Sequence, residues 1–120
     1  MIYVYCRIST KKQSIDRQIR NIKTAFPEAV IIEESYTGTS VNRPEWNKLY
    51  RQLRENDIII FDRVSRMSRN ASEGFLLHKE LFERNVSLVF LKERHIDTEA
   101  YREAMKGIIS QTLNDFEIYQ

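Results

Sequence analysis

The most informative segment of the sequence is Asp57-Ile58-Ile59-Ile60-Phe61, which is followed directly by the charged pair Asp62-Arg63. Its four consecutive apolar residues lie between charged ones and predict a short strand that is buried on both faces. Strands of this kind occur mainly in parallel sheets, because the connecting helices of such sheets cover both faces. The segment therefore predicts an α/β fold.

Strands and helices alternate on both sides of this segment. Short apolar runs predict the strands, and apolar residues at helical spacing follow each run. Pro44 suits the first turn of one of the helices, and Asn85 suits the turn before the last strand. In chain order, the predicted strands lie at 2–6, 30–32, 57–61 and 86–91, and the predicted helices at 15–26, 44–53, 75–82 and 98–120.

This alternation with short connections predicts a doubly wound, mainly parallel sheet with helices on both faces. We expect the strand order 2-1-3-4 and a long C-terminal helix. In this order the chain reverses direction between strands 1 and 3, and ligands bind outside the carboxyl ends of those strands. Residues 7–12 and 62–69 lie at these ends.

The composition predicts one domain and excludes several classes of protein. Of the 120 residues, 42% are apolar, and no apolar run is long enough to cross a bilayer. Cys6 is the only cysteine, and the N-terminus lacks the features of a signal peptide, so we expect a cytoplasmic location. Three glycines and two histidines provide neither a Gly-rich phosphate loop nor a zinc cluster. We therefore expect no metal site, no small-molecule cofactor and no membrane partner.

Positive charge is concentrated in two stretches of the chain, although the net charge is only +2. Residues 1–24 carry six basic residues and a single acidic one, and residues 43–69 carry seven basic and four acidic ones. Each stretch includes one of the two strand ends that border the predicted ligand crevice. Such a crevice suits a polyanion such as DNA.

The first strand end carries a candidate nucleophile. Tyr5, Arg7 and Ser9 alternate with their neighbours, so they share one face of the strand if it stays extended. On its position alone, Ser9 is better explained as a helix cap or turn hydroxyl. An arginine beside a serine is nevertheless suited to a phosphodiester, because guanidinium groups hold the phosphate and stabilise the charge of the transition state without a metal.

The third strand end strengthens the interpretation. Arginines recur every three residues there, at 63, 66 and 69, and would share one face if this segment were helical. Asp62 precedes them and has two possible roles, in proton transfer or in orienting an arginine. We favour the orienting role, because a neighbouring arginine lowers the pKa of a carboxylate.

Short motifs follow one another along nearly the whole chain: Tyr5-x-Arg7-x-Ser9, Gln13 and Gln18, Arg43 after Gly38, and Asp62-Arg63-x-x-Arg66. Their order and spacing resemble the catalytic domain of the serine site-specific recombinases, the resolvase and invertase family. In that family the matching serine attacks a DNA phosphodiester, leaving a 5′-phosphoserine link and a free 3′-hydroxyl. The resemblance implies a DNA strand transferase that needs neither metal nor ATP.

The resemblance also implies roles for individual residues. Ser9 is the expected nucleophile, and Arg7, Arg63 and Arg66 are expected to bind and activate the scissile phosphate. The expected supporting residues of the catalytic site are Gln18, Arg43 and Asp62. The expected DNA-binding residues are Tyr5, Lys11, Lys12, Gln13 and Arg69.

Assembly is a further implication of the resemblance. The family binds double-stranded DNA as homodimers, which join into tetramers at synapsis. We expect residues 1–97 to form the catalytic domain and residues 98–120 to begin a dimerisation helix that is truncated here. That helix has a wide apolar stripe, formed by Tyr101, Met105, Ile108, Ile109, Thr112, Leu113 and Phe116. Docking of the helix on its own sheet would account for only about the first half of this stripe.

Three alternatives remain. A receiver-like signalling domain would use Asp62 at the end of strand 3, but it also needs acidic residues after strand 1, where the sequence has Cys6-Arg7. A cysteine phosphatase needs Cys-x5-Arg, and the count from Cys6 reaches Lys12. A DNA-binding or dimerisation module of the same fold without catalytic activity also fits the sequence.

Overall fold

The computed structural model describes residues 1–8, 12–35, 43–68 and 70–106. Strands and helices alternate through these residues. We number a final helical segment, residues 98–106, as α4. The other elements are β1 (Ile2–Ile8), α1 (Lys12–Ala25), β2 (Val30–Ser35), α2 (Pro44–Gln52), β3 (Ile58–Phe61), α3 (Ala71–Glu83) and β4 (Ser87–Phe90).

The described strands form one parallel sheet in the order β2-β1-β3-β4. The predicted fold class and strand order are confirmed. The bounds differ by a few residues, because β1 and β2 continue together to Ile8 and Ser35. Asp57 precedes β3 rather than starting it, since its carboxylate accepts a hydrogen bond from the Arg54 N–H at 2.8 Å.

Each face of the sheet has its own apolar core, as a doubly wound sheet requires. Tyr3 and Tyr5 of β1 pack with Trp46 and Leu49 of α2 on one face. Val4, between them, packs on the other face with Ile22 of α1. Alternate residues of β1 therefore enter the two cores, and each core holds a helix against the sheet.

The start of α4 protects the edge strand β4. The Leu88 N–H donates to the Thr98 hydroxyl at 2.8 Å, and the Phe90 N–H donates to the Asp97 carboxylate at 2.6 Å. Side chains thus occupy backbone donors that would otherwise be open to pairing with another strand. Within the described residues, no helix has the length and apolar character needed to cross a bilayer.

The carboxyl ends of β1 and β3 lie side by side. Tyr3 pairs with Ile59 and Val4 with Ile60. Strand β3 ends at Phe61, and the chain then forms a 3₁₀ turn, Val64–Arg66, that contacts β1. The two strand ends that carry the predicted site are therefore neighbours.

Candidate active site

Tyr5 and Glu34 form a buried hydrogen-bonded pair behind the end of β1. The Tyr5 side chain is 1% exposed, and its hydroxyl donates to Glu34 Oε1 at 3.1 Å. The same carboxylate accepts the backbone N–H groups of Glu45 at 3.2 Å and Trp46 at 3.1 Å, in the first turn of α2. A carboxylate at a helix N-terminus satisfies open donors and complements the helix dipole. Glu34 therefore fixes the start of α2 to the sheet.

Arg43 immediately precedes α2, so this anchor also positions its side chain. Its guanidinium lies over the Trp46 ring at 5.2 Å from the centroid and donates to the Arg66 carbonyl at 3.3 Å. A second nitrogen lies 4.0 Å from the Glu73 carboxylate. Arg43 thus connects α2 with the 3₁₀ turn and with α3.

The charges of Arg7 and Arg43 both influence the Tyr5 phenol. Burial raises the pKa of Tyr5 well above its usual range, and the positive charges of Arg43 and, more weakly, Arg7 oppose that rise. Arg7, near the end of β1, and Arg43, just before α2, thus both act electrostatically on Tyr5.

Asp62 lies on the opposite face of the sheet, the face that α1 covers. Burial, then Glu33 and then Asp62 raise the pKa of the Cys6 thiol to about 11, so the Asp62 charge lies near Cys6. Asp62 Oδ2 forms ion pairs with Arg63 Nε at 3.4 Å and with Lys92 Nζ at 3.5 Å. The Asp62 to Arg63 contact supports the orienting role that we favour for this carboxylate.

The 3₁₀ turn that carries the arginines is held by a residue from outside it. The Val64 N–H donates to Glu93 Oε1 at 2.6 Å. Met67, directly after the turn, is completely buried, and its N–H donates to the Val64 carbonyl at 3.0 Å. The 3₁₀ turn is therefore fixed at its first residue by Glu93, and the residue that follows the turn is fixed by the core.

One expectation about this loop is wrong. Arg63 has an extended backbone, with φ −154° and ψ 165°, and the 3₁₀ turn comprises only Val64–Arg66. Arg63 and Arg66 therefore do not share a helical face, and Arg69 lies outside the described residues. Arg63 and Arg66 instead line one groove together with Arg17 of α1.

The predicted DNA-binding role of Tyr5 also needs correction. Its ring is enclosed by Trp46 at 5.2 Å and Phe61 at 5.9 Å, and its hydroxyl is bound to Glu34. A side chain that is buried and hydrogen-bonded in this way does not reach DNA. Tyr5 instead has a structural role, because it binds Glu34, which in turn holds the start of α2.

The structure brings five of the predicted site residues to the carboxyl edge of the sheet: Arg7, Arg43, Asp62, Arg63 and Arg66. Ser9, Lys11 and Arg69 lie outside the described residues, and so do the side chains of Lys12, Gln13 and Gln18. Sequence reasoning missed Glu34 and Glu93, which hold backbone groups far away in the chain. Their one signal is position, since Glu34 lies near the end of β2 and Glu93 follows β4.

Known sequences resemble this chain over most of its length. The family model "Resolvase, N terminal domain" matches residues 2–118. A resolvase of Clostridium perfringens (strain 13 / Type A) is 29% identical over 99 residues, which cover 82% of this chain and 52% of that protein. The Tn3 transposon resolvase of Escherichia coli is 31% identical over 93 residues, covering 77% and 50%. The chain thus spans about half the length of these relatives.

Solved structures share the fold. A resolvase family site-specific recombinase from Streptococcus pneumoniae aligns with a TM-score of 0.60 at 17% identity, over 98% of this chain and 90% of that one. The C-terminal catalytic domain of ISC1926 TnpA, an IS607-like serine recombinase, aligns with a TM-score of 0.54 at 17% identity, over 91% and 78%. Sequence match and fold agree, and the chain belongs to the resolvase N-terminal domain family.

Proposed function

We propose that this chain is the catalytic domain of a serine site-specific recombinase and that its substrate is double-stranded DNA. One observation carries the proposal. Arg7, Arg43, Arg63 and Arg66 gather at the carboxyl edge of the sheet, where β1 ends at Ile8 and Ser9 follows. Membership of the resolvase family supports the same assignment.

The proposed reaction is a transfer of the phosphoryl group from one hydroxyl to another. The Ser9 oxygen forms a bond to phosphorus and loses its proton, while the bond between phosphorus and the 3′-oxygen breaks and that oxygen takes up a proton. The product is a 5′-phosphoserine link beside a free 3′-hydroxyl. A 3′-hydroxyl of another strand then attacks the link and restores Ser9. The number of phosphoester bonds is unchanged at each step, so ATP is not needed.

The arginines reduce two barriers to this reaction, the charge of the phosphodiester and the charge that develops in the transition state. A phosphodiester repels a nucleophile by its own negative charge, and the transition state spreads charge over the equatorial oxygens. In the proposed site, Arg7, Arg63 and Arg66 bind those oxygens, and fixed guanidinium groups stabilise the developing charge. Arg43 acts in support, because it holds the Arg66 carbonyl. We retain Gln18 as a further proposed supporting residue.

The proposed arrangement of the molecule follows from the same family. Residues 1–97 form the catalytic domain, and the helix from residue 98 serves in dimerisation. Exposed apolar residues support a partner on this side, since Phe75 and Leu76 of α3 are 66% and 64% exposed. Tyr101 and Met105 of α4 are also exposed. We propose a homodimer that forms tetramers at synapsis, and a cytoplasmic location where DNA is accessible.

A trapping experiment tests the proposed function. A library of nicked duplexes of random sequence is incubated with the chain in EDTA, so that a short fragment with the 3′-hydroxyl diffuses away after cleavage and prevents rejoining. We expect covalent complexes of protein and DNA on a denaturing gel. The Ser9→Ala variant should give none, whereas the matched Ser14→Ala variant should give the wild-type yield.

Two outcomes would contradict the proposal. A wild-type chain that binds DNA but gives no covalent complex would favour the module without catalytic activity. A Ser9→Ala variant that gives the wild-type yield would exclude Ser9 as the nucleophile.

A further inference from the structure

A groove of about 630 Å³ runs between α1 and the carboxyl ends of β3 and β4. It lies on the α1 face, away from the buried pair of Tyr5 and Glu34. Its polar wall is formed by Arg17, Asn21, Asp62, Arg63, Arg66 and Lys92. Its apolar wall is formed by Ile22, Ala25, Phe26 and Leu91. Sites of about 300–1,000 Å³ hold small molecules, so the groove has room for a nucleotide with its phosphate.

The charge of the groove is strongly positive. Four cationic side chains line it, and the only carboxylate among the described lining residues is Asp62. Asp62 Oδ2 already forms ion pairs with both Arg63 and Lys92, so its single charge is shared between two cations. The Lys92 side chain is 56% exposed, and an ion pair in water contributes little to stability. A phosphate can therefore compete with Asp62 for Lys92.

Arg17 reaches the groove because of its place on α1. Residues 17, 21 and 25 are spaced four apart and, with Ile22, form the side of α1 that lines the groove, and Phe26 follows directly after the helix. Arg20 and Lys23 lie on other sides of the same helix and do not line it. The family motifs assign no role to Arg17 or to Lys92, which comes from the segment after β4.

We propose that Arg17 and Lys92 bind a DNA backbone phosphate next to the scissile one. The inference rests on the proposed function, in which Arg63 and Arg66 hold the scissile phosphate. A strand held by these two arginines carries further phosphates on both sides, and the groove continues from Arg63 and Arg66 to Arg17 and Lys92. The apolar wall, with Phe26 and Leu91, faces the sugar of the same nucleotide. Arg17 and Lys92 thus add a contact with the DNA strand and do not contact the reacting atoms.

Two double variants of equal charge test this inference. Arg17→Gln with Lys92→Gln removes the proposed contact, and Arg20→Gln with Lys23→Gln removes the same charge outside the groove. Binding of a short fluorescent duplex is measured over a series of salt concentrations. Each phosphate contact contributes about 0.9 to the slope of log K against log salt concentration. We expect the slope of the groove variant to be smaller than that of the control by about 0.9, because one phosphate contact is lost.

A kinetic measurement separates binding from chemistry. The DNA concentration needed for half the maximal rate of Ser9 adduct formation should rise about tenfold in the groove variant relative to the Arg20 and Lys23 control variant. Equal salt slopes for the two double variants would overturn the inference. Circular dichroism checks that both variants fold, which we expect because all four side chains are exposed.

The failure of this inference can be distinguished from failure of the proposed function. If Arg63→Gln lowers the salt slope and the groove variant does not, the proposed function stands and Arg17 and Lys92 have no part in it. A different result would contradict the proposed function. If neither the wild-type chain nor any variant forms an adduct, but the groove variant alone has a smaller salt slope, then the groove binds DNA and the proposed chemistry is wrong.

Discussion

Cys6 and Arg7 are neighbours in β1, but they face different environments. Cys6 packs against the α1 core, whereas Arg7 acts on Tyr5 in the other core. Because Cys6 is next to a predicted catalytic arginine, it is a second candidate for the nucleophile. Burial and the carboxylates of Glu33 and Asp62 instead raise its pKa from the ordinary 9.0 to about 11. Because the thiolate is the reactive form, Cys6 is expected to be inert at neutral pH.

Alkylation of Cys6 tests this point. At pH 8 the shift leaves roughly 100-fold less thiolate in the folded chain than in the unfolded chain. Iodoacetamide should therefore modify the folded chain roughly 100-fold more slowly than the chain in urea. Mass spectrometry over time measures both rates. Equal rates would show that Cys6 is open to water and ionises normally.

The site residues differ in how well the sequence predicts them. Arg7, Arg43, Asp62 and Arg63 belong to short motifs whose spacing along the chain is visible. The partners Glu34 and Glu93 are not predictable in this way, because each holds a backbone group 11 or more residues distant in sequence. Tyr5 lies in a motif, but its burial depends on α2, which covers it only in the folded chain.

At the scale of elements, the 3₁₀ turn after β3 depends on Glu93. This carboxylate is the only acceptor that the described residues provide for the Val64 N–H, in the middle of the motif with Asp62, Arg63 and Arg66. Loss of the bond frees the turn to change the position of both arginines. Glu93 is therefore a positioning residue for the proposed chemistry.

Substitution of Glu93 should affect the reaction more than the fold. We expect Glu93→Ala to slow adduct formation about tenfold or more, since a small misplacement of positioning groups has large effects on rate. Glu93→Gln keeps an oxygen acceptor and should restore much of the rate. Exposed Glu28 provides the control, as Glu28→Ala should leave the rate unchanged. If Glu93 had only a structural role, Glu93→Ala and Glu93→Gln would both lower the free energy of unfolding, and the two variants would form the adduct at the same rate.

Gly74 of α3 marks a close approach to the segment after the 3₁₀ turn. A Cβ at this position would lie 2.6 Å from Ser68 Oγ, which donates to the Asn70 carbonyl at 3.3 Å. Alanine normally stabilises a helix by about 1 kcal/mol relative to glycine. The clash should cancel that gain in the wild-type background.

A double-mutant cycle measures the contact. In the Ser68→Ala background, Gly74→Ala should raise the free energy of unfolding by about 1 kcal/mol, because only the hydroxyl is in the way. With Ser68 present, the same change should give no gain or a loss. Urea unfolding of the four proteins provides the values, and equal effects in both backgrounds would exclude the contact.

The order of the elements was predictable, and the local geometry of one loop was not. Strands and helices alternate visibly in the sequence, and the rules for parallel sheets then permit few arrangements. The loop after β3 combines a three-residue arginine period with extended backbone at Arg63. Periodicity alone favours a helix there, because it contains no information about the hydrogen bond that the Val64 N–H donates to Glu93.

At the scale of the whole molecule, the sheet separates two functions at its carboxyl edge. On the α2 face, buried Tyr5 and Glu34 form a support beside the partly buried Arg43. On the α1 face, Arg63 and Arg66 open into a positive groove. Buried weak acids lie on both faces, Tyr5 on the α2 face and Cys6 on the α1 face, and they make stability depend on pH in the alkaline range.

Stability should fall at high pH because both Cys6 and Tyr5 have raised pKa values in the folded state. The folded state favours their neutral forms, so this contribution is complete below the unfolded pKa and is lost as pH rises through the folded one. For Cys6 the window runs from 9.0 to about 11, and for Tyr5 it continues above 10.0. Urea midpoints should decrease over this range, and less steeply in Cys6→Ala. Parallel pH profiles would contradict the role of Cys6.

The most direct test of the central claim is the chemical identity of the protein–DNA bond. After trapping, nuclease and protease digestion, mass spectrometry locates the residue that retains a nucleotide. We expect a 5′-phosphate ester on the peptide that contains Ser9, in EDTA and without ATP. A nucleotide on another residue, or one attached through its 3′-phosphate, would contradict it.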